Sequence, residues 1–214
     1  MTPKITLVVA CDKKFAIGKD NTIPWNIPSD MAHFKRYTAG KVVVCGMNTF
    51  NSLPTLLAGR YMFVLSRQDD AITVLQEKAS RYKEMKKTDV VPFCAHVQSV
   101  GDFFELFQEY FSGQDEICVI GGSQIYELFY PIADSIIMSM INTEIEDADT
   151  FLTPPNDDFW KISRTLLKDS KSDKDQYSYS IHEFTRSPSA QVISLKSKRR
   201  LSKMEIIKLI IDSK

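Results

Sequence analysis

Short apolar runs recur along the chain and are separated by stretches in which apolar and polar residues are mixed. Continuous apolar runs rich in β-branched residues are typical of strands buried on both faces of a parallel sheet. Pro92 falls within a weaker run and indicates a strand at the edge of the sheet. The runs that predict strands lie at residues 5–11, 41–46, 61–66, 90–97, 117–122 (a strand and then a glycine turn) and 135–145, with two more near 160–167 and 177–185.

Helical spacing fills the intervals between these runs. Phe103, Phe104, Phe107 and Phe111 recur at the intervals that place side chains on one face of a helix. The alternation of strands and helices favours an α/β fold with a largely parallel sheet, whose last strands run antiparallel at one edge. Helices are predicted at about 29–38, 47–53, 100–111 and 123–130, and residues 71–87 are predicted to be helical or irregular.

The composition is that of an ordinary globular protein, with 43% hydrophobic and 25% charged residues. Its 27 basic and 27 acidic residues cancel, so no overall field attracts nucleic acid or a membrane surface. No stretch approaches the ~20 apolar residues that span a bilayer, and the N-terminus lacks the layout of a secretory signal. Cys11, Cys45, Cys94 and Cys118 are scattered without metal-ligand spacing, which predicts thiols of a cytoplasmic protein, without a metal site.

The last part of the chain differs in composition. Residues 187–214 contain seven Lys or Arg residues against two acids, including the run KSKRR. A solvated or loosely docked tail, helical or disordered, is the first interpretation, and a role in binding a partner is the alternative. The sequence therefore predicts one domain over residues 1–186 and a basic tail over 187–214.

Three polar or glycine-containing turns follow predicted strands. Each alone is more often an ordinary turn than a ligand site. However, the carboxyl ends of parallel strands meet at one edge of a sheet, where open α/β sheets bind their ligands. Glycines permit close backbone approach there, and helix N-termini offer free N–H groups to a phosphate. The turns therefore predict a site for an extended, phosphate-bearing cofactor, and they contain Gly121 and Gly122, Gly46 with Asn48 and Thr49, and Ser66 with Arg67.

Two charged residues lie next to apolar positions. Asp30 begins a predicted helix and shares a face with Phe34, four residues further on. It is either an ordinary helix cap, a role that Ser29 also fits, or a buried acid that binds a substrate. Arg60, in the segment LLAGRY, forms either a surface salt bridge or a bidentate contact with a ligand carboxylate.

The order of these motifs resembles that of the dihydrofolate reductase family. The segments PWNIPSDMAHFK and VIGGSQIY form a specific pair at their separation, and they are accompanied by VVCGMNTFNSL, LAGR, VLSR, SIIMSMI, ADTF and YSYSIHEF over residues 5–185. The resemblance implies a three-layer α/β fold. It has a central eight-stranded, mostly parallel sheet with an antiparallel C-terminal edge strand, flanked by about four helices. The basic tail is not part of the resemblance.

The resemblance implies the NADPH-dependent reduction of dihydrofolate, and the binding of antifolates such as methotrexate. Asp30 would be the single pocket carboxylate that binds the pterin, with a pKa raised by burial, while hydride passes from the nicotinamide to C6. A water would deliver the proton to N5, because the side chain of Asp30 is too distant. Catalytic roles are implied for Asp30, Trp25, Tyr126 and Ser139. The residues implied to bind substrate, with Arg60 on the glutamate α-carboxylate, are Val8, Val9, Ala10, Ile23, Trp25, Asp30, Met31, Phe34, Lys35, Leu53, Leu57, Arg60, Ile120, Tyr126 and Ser139.

NADPH is the implied cofactor. Ser66 and Arg67 would bind the adenosine 2′-phosphate, and residues 12–27 would form a mobile loop over the nicotinamide. Gly121 and Gly122 would share a cis peptide. The residues implied to bind the cofactor are Ala10, Ile17, Gly18, Asn21, Gly46, Met47, Asn48, Thr49, Leu65, Ser66, Arg67, Ile120, Gly121, Gly122, Ser123, Gln124, Ile125 and Tyr126.

The chain departs from the family pattern in two places. Met47 stands where many relatives carry a basic residue, which implies weaker cofactor binding or a greater share for Arg67. Residues 68–99 are longer and richer in lysine, which leaves the contacts on the adenine side unassigned. A reductase of a related pterin or pyrimidine, and a catalytically idle nucleotide-binding protein, are the alternatives. A monomer is expected, without nucleic-acid or membrane partners and with a tail free to contact another chain.

Overall fold

A computed structural model describes residues 2–187 of the chain. Apart from Ser187, the predicted basic tail lies outside the described residues. The described helices are α1 (Pro28–Thr38), α2 (Met47–Ser52), α3 (Ala71–Lys86), α4 (Val100–Tyr110) and α5 (Ser123–Phe129), with a short 3₁₀ turn at Tyr130–Ile132. The described strands are β1 (Lys4–Cys11), β2 (Ala16–Gly18), β3 (Val42–Gly46), β4 (Tyr61–Leu65), β5 (Cys94–Val97), β6 (Glu116–Val119), β7 (Ser135–Ile141), β8 (Thr150–Phe151), β9 (Trp160–Ser170) and β10 (Tyr179–Arg186).

Eight of these strands form one central sheet in the order β5-β4-β3-β6-β1-β7-β10-β9. Every pair runs parallel except the two that involve β10, which is antiparallel to both β7 and β9. The remaining strands, β2 and β8, form a separate two-stranded ribbon beside the sheet. The prediction of a mostly parallel α/β sheet is confirmed.

The two faces of the sheet bury separate apolar clusters because side chains alternate along each strand. In β1, Leu7 and Val9 join a cluster formed with the phenylalanines of α4 and with Phe129 of α5. Val8, between them, points to a second cluster with Phe50 of α2 and residues of α3. Helices therefore cover both faces, which produces the three layers that the resemblance implied.

Several predicted boundaries differ from the structure. The strand predicted at 90–97 begins only at Cys94, because its pairing with the edge of β4 starts there, and Val90 is 77% exposed. The strand predicted at 135–145 ends at Ile141, which is also the last residue of β7 that pairs with β10. Among the described residues, five helices flank the sheet rather than about four, and residues 71–87 form a helix almost throughout.

The identity of the outer strand is also corrected. The C-terminal strand β10 is antiparallel, as expected, but it lies between β7 and β9 and is therefore internal. The two strands of the β9–β10 hairpin pair closely, so β9 takes the outer position. The prediction that Pro92 marks an edge strand is confirmed, since β5 ends the sheet on the other side.

Within residues 2–187, none of the helices is long and apolar enough to cross a membrane.

The loop that follows β1 is fixed by a buried carboxylate. Asp12 is fully buried, and its Oδ1 accepts hydrogen bonds from the backbone N–H groups of Lys14 and Ala16, both at 2.8 Å. Its Oδ2 accepts a third bond, from the N–H of Ile145 at 2.8 Å. Asp12 therefore joins the start of the loop to the chain segment that follows β7.

We expect Asp12→Ala to lower the free energy of unfolding by about 2–4 kcal/mol, because one buried and two partly buried N–H groups lose their acceptor. Urea denaturation of the two proteins measures this difference. Lys14→Ala is the matched control: its ion pair with Glu144, at 2.9 Å, is solvent-exposed, so a change within about 0.5 kcal/mol is expected. Equal losses in both variants would contradict the role of Asp12.

Candidate active site

A cavity of about 1400 Å³ opens along the carboxyl ends of the central strands. Its wall includes Ala10 near the end of β1, Gly46 at the end of β3 and Leu65 at the end of β4. This is the edge at which open α/β sheets bind ligands, and the volume exceeds the roughly 300–1,000 Å³ of an ordinary ligand pocket. Every residue predicted above to bind substrate or cofactor lines this cavity, except Trp25 and Arg60.

Asp30 lies on the cavity wall in the first turn of α1, next to Met31 and on the same side as Phe34. Its Oδ1 accepts a hydrogen bond of 2.5 Å from the hydroxyl of Ser139, which β7 contributes from the opposite side. Burial raises the pKa of Asp30, the bond from Ser139 opposes that rise, and the negative charge of Asp175 adds to it. The cavity thus holds one carboxylate with an increased preference for its protonated form.

The alternative that Ser29 or Asp30 caps α1 is wrong. The N-cap position is occupied by Ile27, and no side chain of the helix's own N-terminus makes a capping hydrogen bond. Pro28 at the first helical position needs no partner because it lacks an N–H group. The Asp30 carboxylate is therefore free of local backbone bonds and is directed into the cavity.

The glycine turn after β6 brings three elements close together. The peptide between Gly121 and Gly122 is cis, as the resemblance implied, and Gly121 has a φ of 110°. The carbonyl of Gly121 accepts a hydrogen bond of 2.8 Å from the N–H of Gly46 at the start of α2. A Cβ atom on Gly121 would lie 3.3 Å from the ring of Tyr126, and one on Gly46 would lie 3.0 Å from Ile125. Larger residues would therefore close this part of the cavity.

Tyr126 is held in place beneath the turn. Its hydroxyl donates a hydrogen bond of 2.8 Å to the carbonyl of Val8 in β1, and the side chain is 5% exposed. Burial raises the pKa of Tyr126 well above its usual range. Tyr126 therefore remains a neutral side chain that connects α5 to β1.

The far end of the cavity carries a cation. Arg67 follows β4 on the cavity wall, and no hydrogen bond or ion pair engages its guanidinium within the described part of the chain. Next to it, the buried Ser66 accepts a bond of 3.1 Å from the N–H of Gln68 through its hydroxyl and a bond of 2.8 Å from His96 through its carbonyl. This end therefore presents one exposed positive charge on an ordered turn.

Trp25 lies away from the cavity wall. It is half-buried and packs against a cluster formed by Ile27, Ile141 and residues of β10. The large apolar ring gains more by contact with this cluster than by exposure to a solvent-filled cavity. The catalytic and binding roles expected of Trp25 therefore stay predictions.

Arg60 is also outside the cavity wall, because its guanidinium binds the end of α1. Nε donates to the hydroxyl of Thr38 at 2.8 Å, and the terminal nitrogens donate to the carbonyls of Ala58 at 2.7 Å and Lys35 at 2.6 Å. A cation at a helix C-terminus interacts favourably with the helix dipole. The arrangement holds the arginine beside α1, and within residues 2–187 its contacts are with a hydroxyl and two carbonyls rather than with the surface acid that one interpretation predicted.

The structure also adds wall residues that the sequence did not identify. Two of them could have been found: His33 lies one turn from Asp30 on the same helix face, and the sequence SVGD at residues 99–102 is a capping-box pattern. Ser99 and Asp102 do form this capping box at the start of α4, which is one more helix N-terminus at the cavity edge. The added residues are Thr22, His33, Ser52, Pro54, Thr55, Gln68, Gln98, Ser99, Val100, Leu128, Ile137 and Thr150.

All four cysteines are free thiols, and three are buried. Burial raises the pKa of Cys11, Cys94 and Cys118 to about 12. The same cause raises the pKa of Cys45 further. Because the thiolate is the nucleophile, none of these residues is suited to nucleophilic catalysis.

The fold and the cavity together define an α/β protein with room for an extended ligand at the carboxyl edge of its sheet. A family model described as dihydrofolate reductase matches residues 4–186. Dihydrofolate reductase of Staphylococcus haemolyticus is 32% identical over 183 residues, which cover 86% of this chain and 96% of the relative. That of Haemophilus influenzae is 34% identical, with 73% of this chain and 83% of the relative covered.

Among solved structures, dihydrofolate reductase of Enterococcus faecalis in complex with NADP(H) and RAB-propyl shares the fold. Its TM-score is 0.66 at 21% sequence identity, and the match covers 86% of this chain and 96% of that chain. The chain belongs to the dihydrofolate reductase family.

Proposed function

We propose that this protein reduces dihydrofolate to tetrahydrofolate with NADPH, at the cavity along the carboxyl edge of the sheet. The observation that carries the proposal is the Asp30 carboxylate, which is bonded to Ser139 on an otherwise largely apolar wall. The other face of the same cavity carries a glycine turn and a free arginine. A site of this kind suits two flat ligands, one with a cationic or amide edge and one with phosphates.

Asp30 binds the pterin ring through its N3 and 2-amino group. These donors match the two oxygens of a carboxylate, and such charge-assisted pairs are stronger than neutral hydrogen bonds. Ser139 occupies one lone pair of Oδ1, so it orients the carboxylate toward the ligand. Val8, Met31, Phe34 and Ile120 supply apolar contacts to the ring faces.

The residues of the second half of the cavity fit NADPH. The close approach of Gly46 and Gly121 leaves space that any Cβ atom would fill, and a flat ring or a pyrophosphate needs such space. The N-termini of α2 and α4 and the turn before α5 offer N–H groups to phosphates, and Arg67 offers its charge to the 2′-phosphate. When bound, NADPH supplies the hydride that reduces C6 of the pterin.

The protein's contribution to the reaction is positional and electrostatic. Asp30 fixes the pterin and favours its protonated state, because a carboxylate nearby stabilises a developing positive charge at the ring. The proton for N5 comes from solvent.

The substrate's glutamate lies toward the C-terminal end of α1. Lys35 lines the cavity there, and Arg60 retains unused N–H donors beyond its three bonds to the protein. We assign the glutamate carboxylates to these two cations.

Steady-state NADPH oxidation, with and without dihydrofolate, tests the proposed function. Turnover that depends on dihydrofolate supports it, and turnover only with an unrelated pterin would favour a reductase of another substrate. Folded protein that binds methotrexate tightly but oxidises no NADPH would identify a catalytically idle member of the family and would contradict the proposal.

We expect Arg67→Ala to reduce the preference for NADPH over NADH by about 10- to 100-fold, because one charge-assisted contact with the 2′-phosphate is lost. The ratio of kcat/KM for the two cofactors measures this preference. Arg164→Ala, which removes an exposed arginine from the outer strand β9, is the control and should leave the ratio unchanged. An unaltered ratio in Arg67→Ala would remove this residue from the 2′-phosphate site.

We further propose that the protein acts as a cytoplasmic monomer. Its four cysteines are free thiols, which fits a reducing compartment. The cavity already contains residues proposed for both ligands, so the proposed site needs no second copy of the chain.

A further inference from the structure

The helix that carries Asp30 is capped from a distant part of the chain. Asp175, in the loop between β9 and β10, is 4% exposed. Its Oδ1 accepts a hydrogen bond from the N–H of Ser29 at 3.1 Å, and its Oδ2 accepts one from the Ser29 hydroxyl at 2.6 Å. A further bond, from the N–H of Ser172 at 2.8 Å, closes the loop around the carboxylate.

These contacts occur where α1 lacks a cap of its own. Ile27 at the N-cap position has no side-chain acceptor, so the carboxylate of Asp175 satisfies an N–H group of the first turn instead. A negative charge is also favourable at a helix N-terminus. Ser29, which Asp175 binds twice, directly precedes Asp30.

We propose that Asp175 is a positioning residue, which holds the first turn of α1 so that the Asp30 carboxylate meets Ser139 and the ligand. The inference rests on the proposed function, because it assigns Asp175 a part in the reaction that Asp30 supports. The two sides of the Asp30–Ser139 contact belong to α1 and β7, and that contact spans 2.5 Å. A small displacement of the first turn therefore breaks it.

Asp175 affects Asp30 through its negative charge as well as through the hydrogen bonds that hold α1. Burial disfavours the charged form of Asp175, but the hydrogen bonds from Ser29 and Ser172 outweigh it and hold the pKa of Asp175 well below its usual range. Asp175 is therefore ionised at neutral pH. Its negative charge adds to burial in raising the pKa of Asp30.

The other titratable groups near Asp30 do not replace this charge. Tyr179 of β10 is neutral, because burial and the two carboxylates raise its pKa, although a hydrogen bond with Ser29 and the charge of Arg36 oppose the rise. His33, on the same helix, has a pKa lowered by burial and by Arg36, so it is mainly neutral at pH 7. Asp175 is thus the charged group that raises the pKa of Asp30.

The test compares Asp175→Asn with Asp173→Asn, which removes an exposed charge from the same loop. We expect kcat/KM for dihydrofolate to fall by about 10- to 100-fold in Asp175→Asn, the range for a misplaced reacting group. We also expect the pKa of Asp30, read from its side-chain carboxyl resonance by NMR, to fall, because the neighbouring charge is gone. The pH at which kcat/KM for dihydrofolate declines should then move to a lower value. Asp173→Asn should match the wild type.

Two more variants separate geometry from charge. Asp175→Glu retains the charge and should keep the wild-type direction of the Asp30 pKa shift, even where kcat/KM falls. Ser29→Ala removes the hydroxyl, with its bond to Asp175 and its contact with Tyr179, and should lower kcat/KM by less than Asp175→Asn does. Because Ser29→Ala leaves the backbone bond intact, it provides a folded comparison if the Asp175 variants unfold.

If Asp175→Asn has the same kcat/KM and the same Asp30 pKa as the wild type, the inference is overturned. A loss of stability alone, with both values unchanged, would overturn it too, because Asp175 would then be only a structural cap. The NMR titration does not need turnover. A wild-type protein without activity would therefore contradict the proposed function, while the Asp30 pKa would still decide the role of Asp175.

Discussion

Asp30→Asn should lower the rate of hydride transfer at neutral pH by about 10²- to 10³-fold, the usual loss when one preorganised electrostatic contact is removed. NADPH affinity should change little, because the cofactor contacts lie on the other side of the cavity. Asparagine keeps the shape of the side chain and an acceptor for Ser139, so the effect reports the loss of the charge and of one of the two acceptors for the pterin. Single-turnover mixing of the enzyme–NADPH complex with dihydrofolate measures the rate.

The same substitution should leave the protein as stable as the wild type or more so at neutral pH. Burial raises the pKa of Asp30, so the folded state binds its proton more tightly than the unfolded state does. The stability contributed by that proton is present at low pH and is lost as pH rises through the raised pKa of the folded state. Above that pH, the neutral amide avoids the cost of a buried charge.

Ser139→Ala tests the effect of the Ser139 hydroxyl on Asp30. The Ser139 hydroxyl lowers the pKa of Asp30, so its removal should raise that pKa and extend activity to higher pH. Wild-type hydride transfer in Asp30→Asn, or a reduced unfolding free energy at neutral pH, would contradict the account given for Asp30.

Gly121→Ala should destabilise the protein by about 2–5 kcal/mol and greatly weaken NADPH binding. Gly121 has a φ of 110°, a conformation that costs a residue with a side chain about 1–3 kcal/mol. The added Cβ would also lie 3.3 Å from the ring and hydroxyl of Tyr126, and overpacking a core adds about 1–3 kcal/mol. Tyr126 cannot move freely because its hydroxyl is bonded to Val8.

Thermal denaturation and NADPH titration measure the two effects of Gly121→Ala. Gly113→Ala is the matched control, because a Cβ there meets no atom within 4 Å and the backbone is not in the positive-φ region. It should leave both stability and NADPH affinity near the wild-type values. Similar behaviour of the two variants would show that the turn tolerates a side chain and would contradict the role given to Gly121.

Local patterns predicted most of the fold. The buried faces of β1 and β3 follow from runs of β-branched residues, and the phenylalanines of α4 follow from helical spacing. Strand ends were predicted less well, because β5 and β7 stop where their partners stop. The short strands β2 and β8 have two or three residues, too few to produce a periodic pattern.

The site was predicted unevenly for a similar reason. Asp30, Gly121 and Arg67 lie in motifs whose chemistry can be recognised locally. Asp175 meets Ser29 across 146 positions of the chain, and no pattern near either residue indicates the other. Trp25 and Arg60 were expected on the cavity wall, but each packs against a neighbouring element, and such choices depend on tertiary contacts.

The central claim is that this cavity brings the nicotinamide and the pterin together for direct hydride transfer. The most direct measurement uses NADPH that carries deuterium at the transferred position of the nicotinamide, with dihydrofolate as acceptor. The account predicts tetrahydrofolate with the deuterium at C6 and a proton from solvent at N5. Tetrahydrofolate without deuterium at C6, or no tetrahydrofolate from folded enzyme, would contradict it.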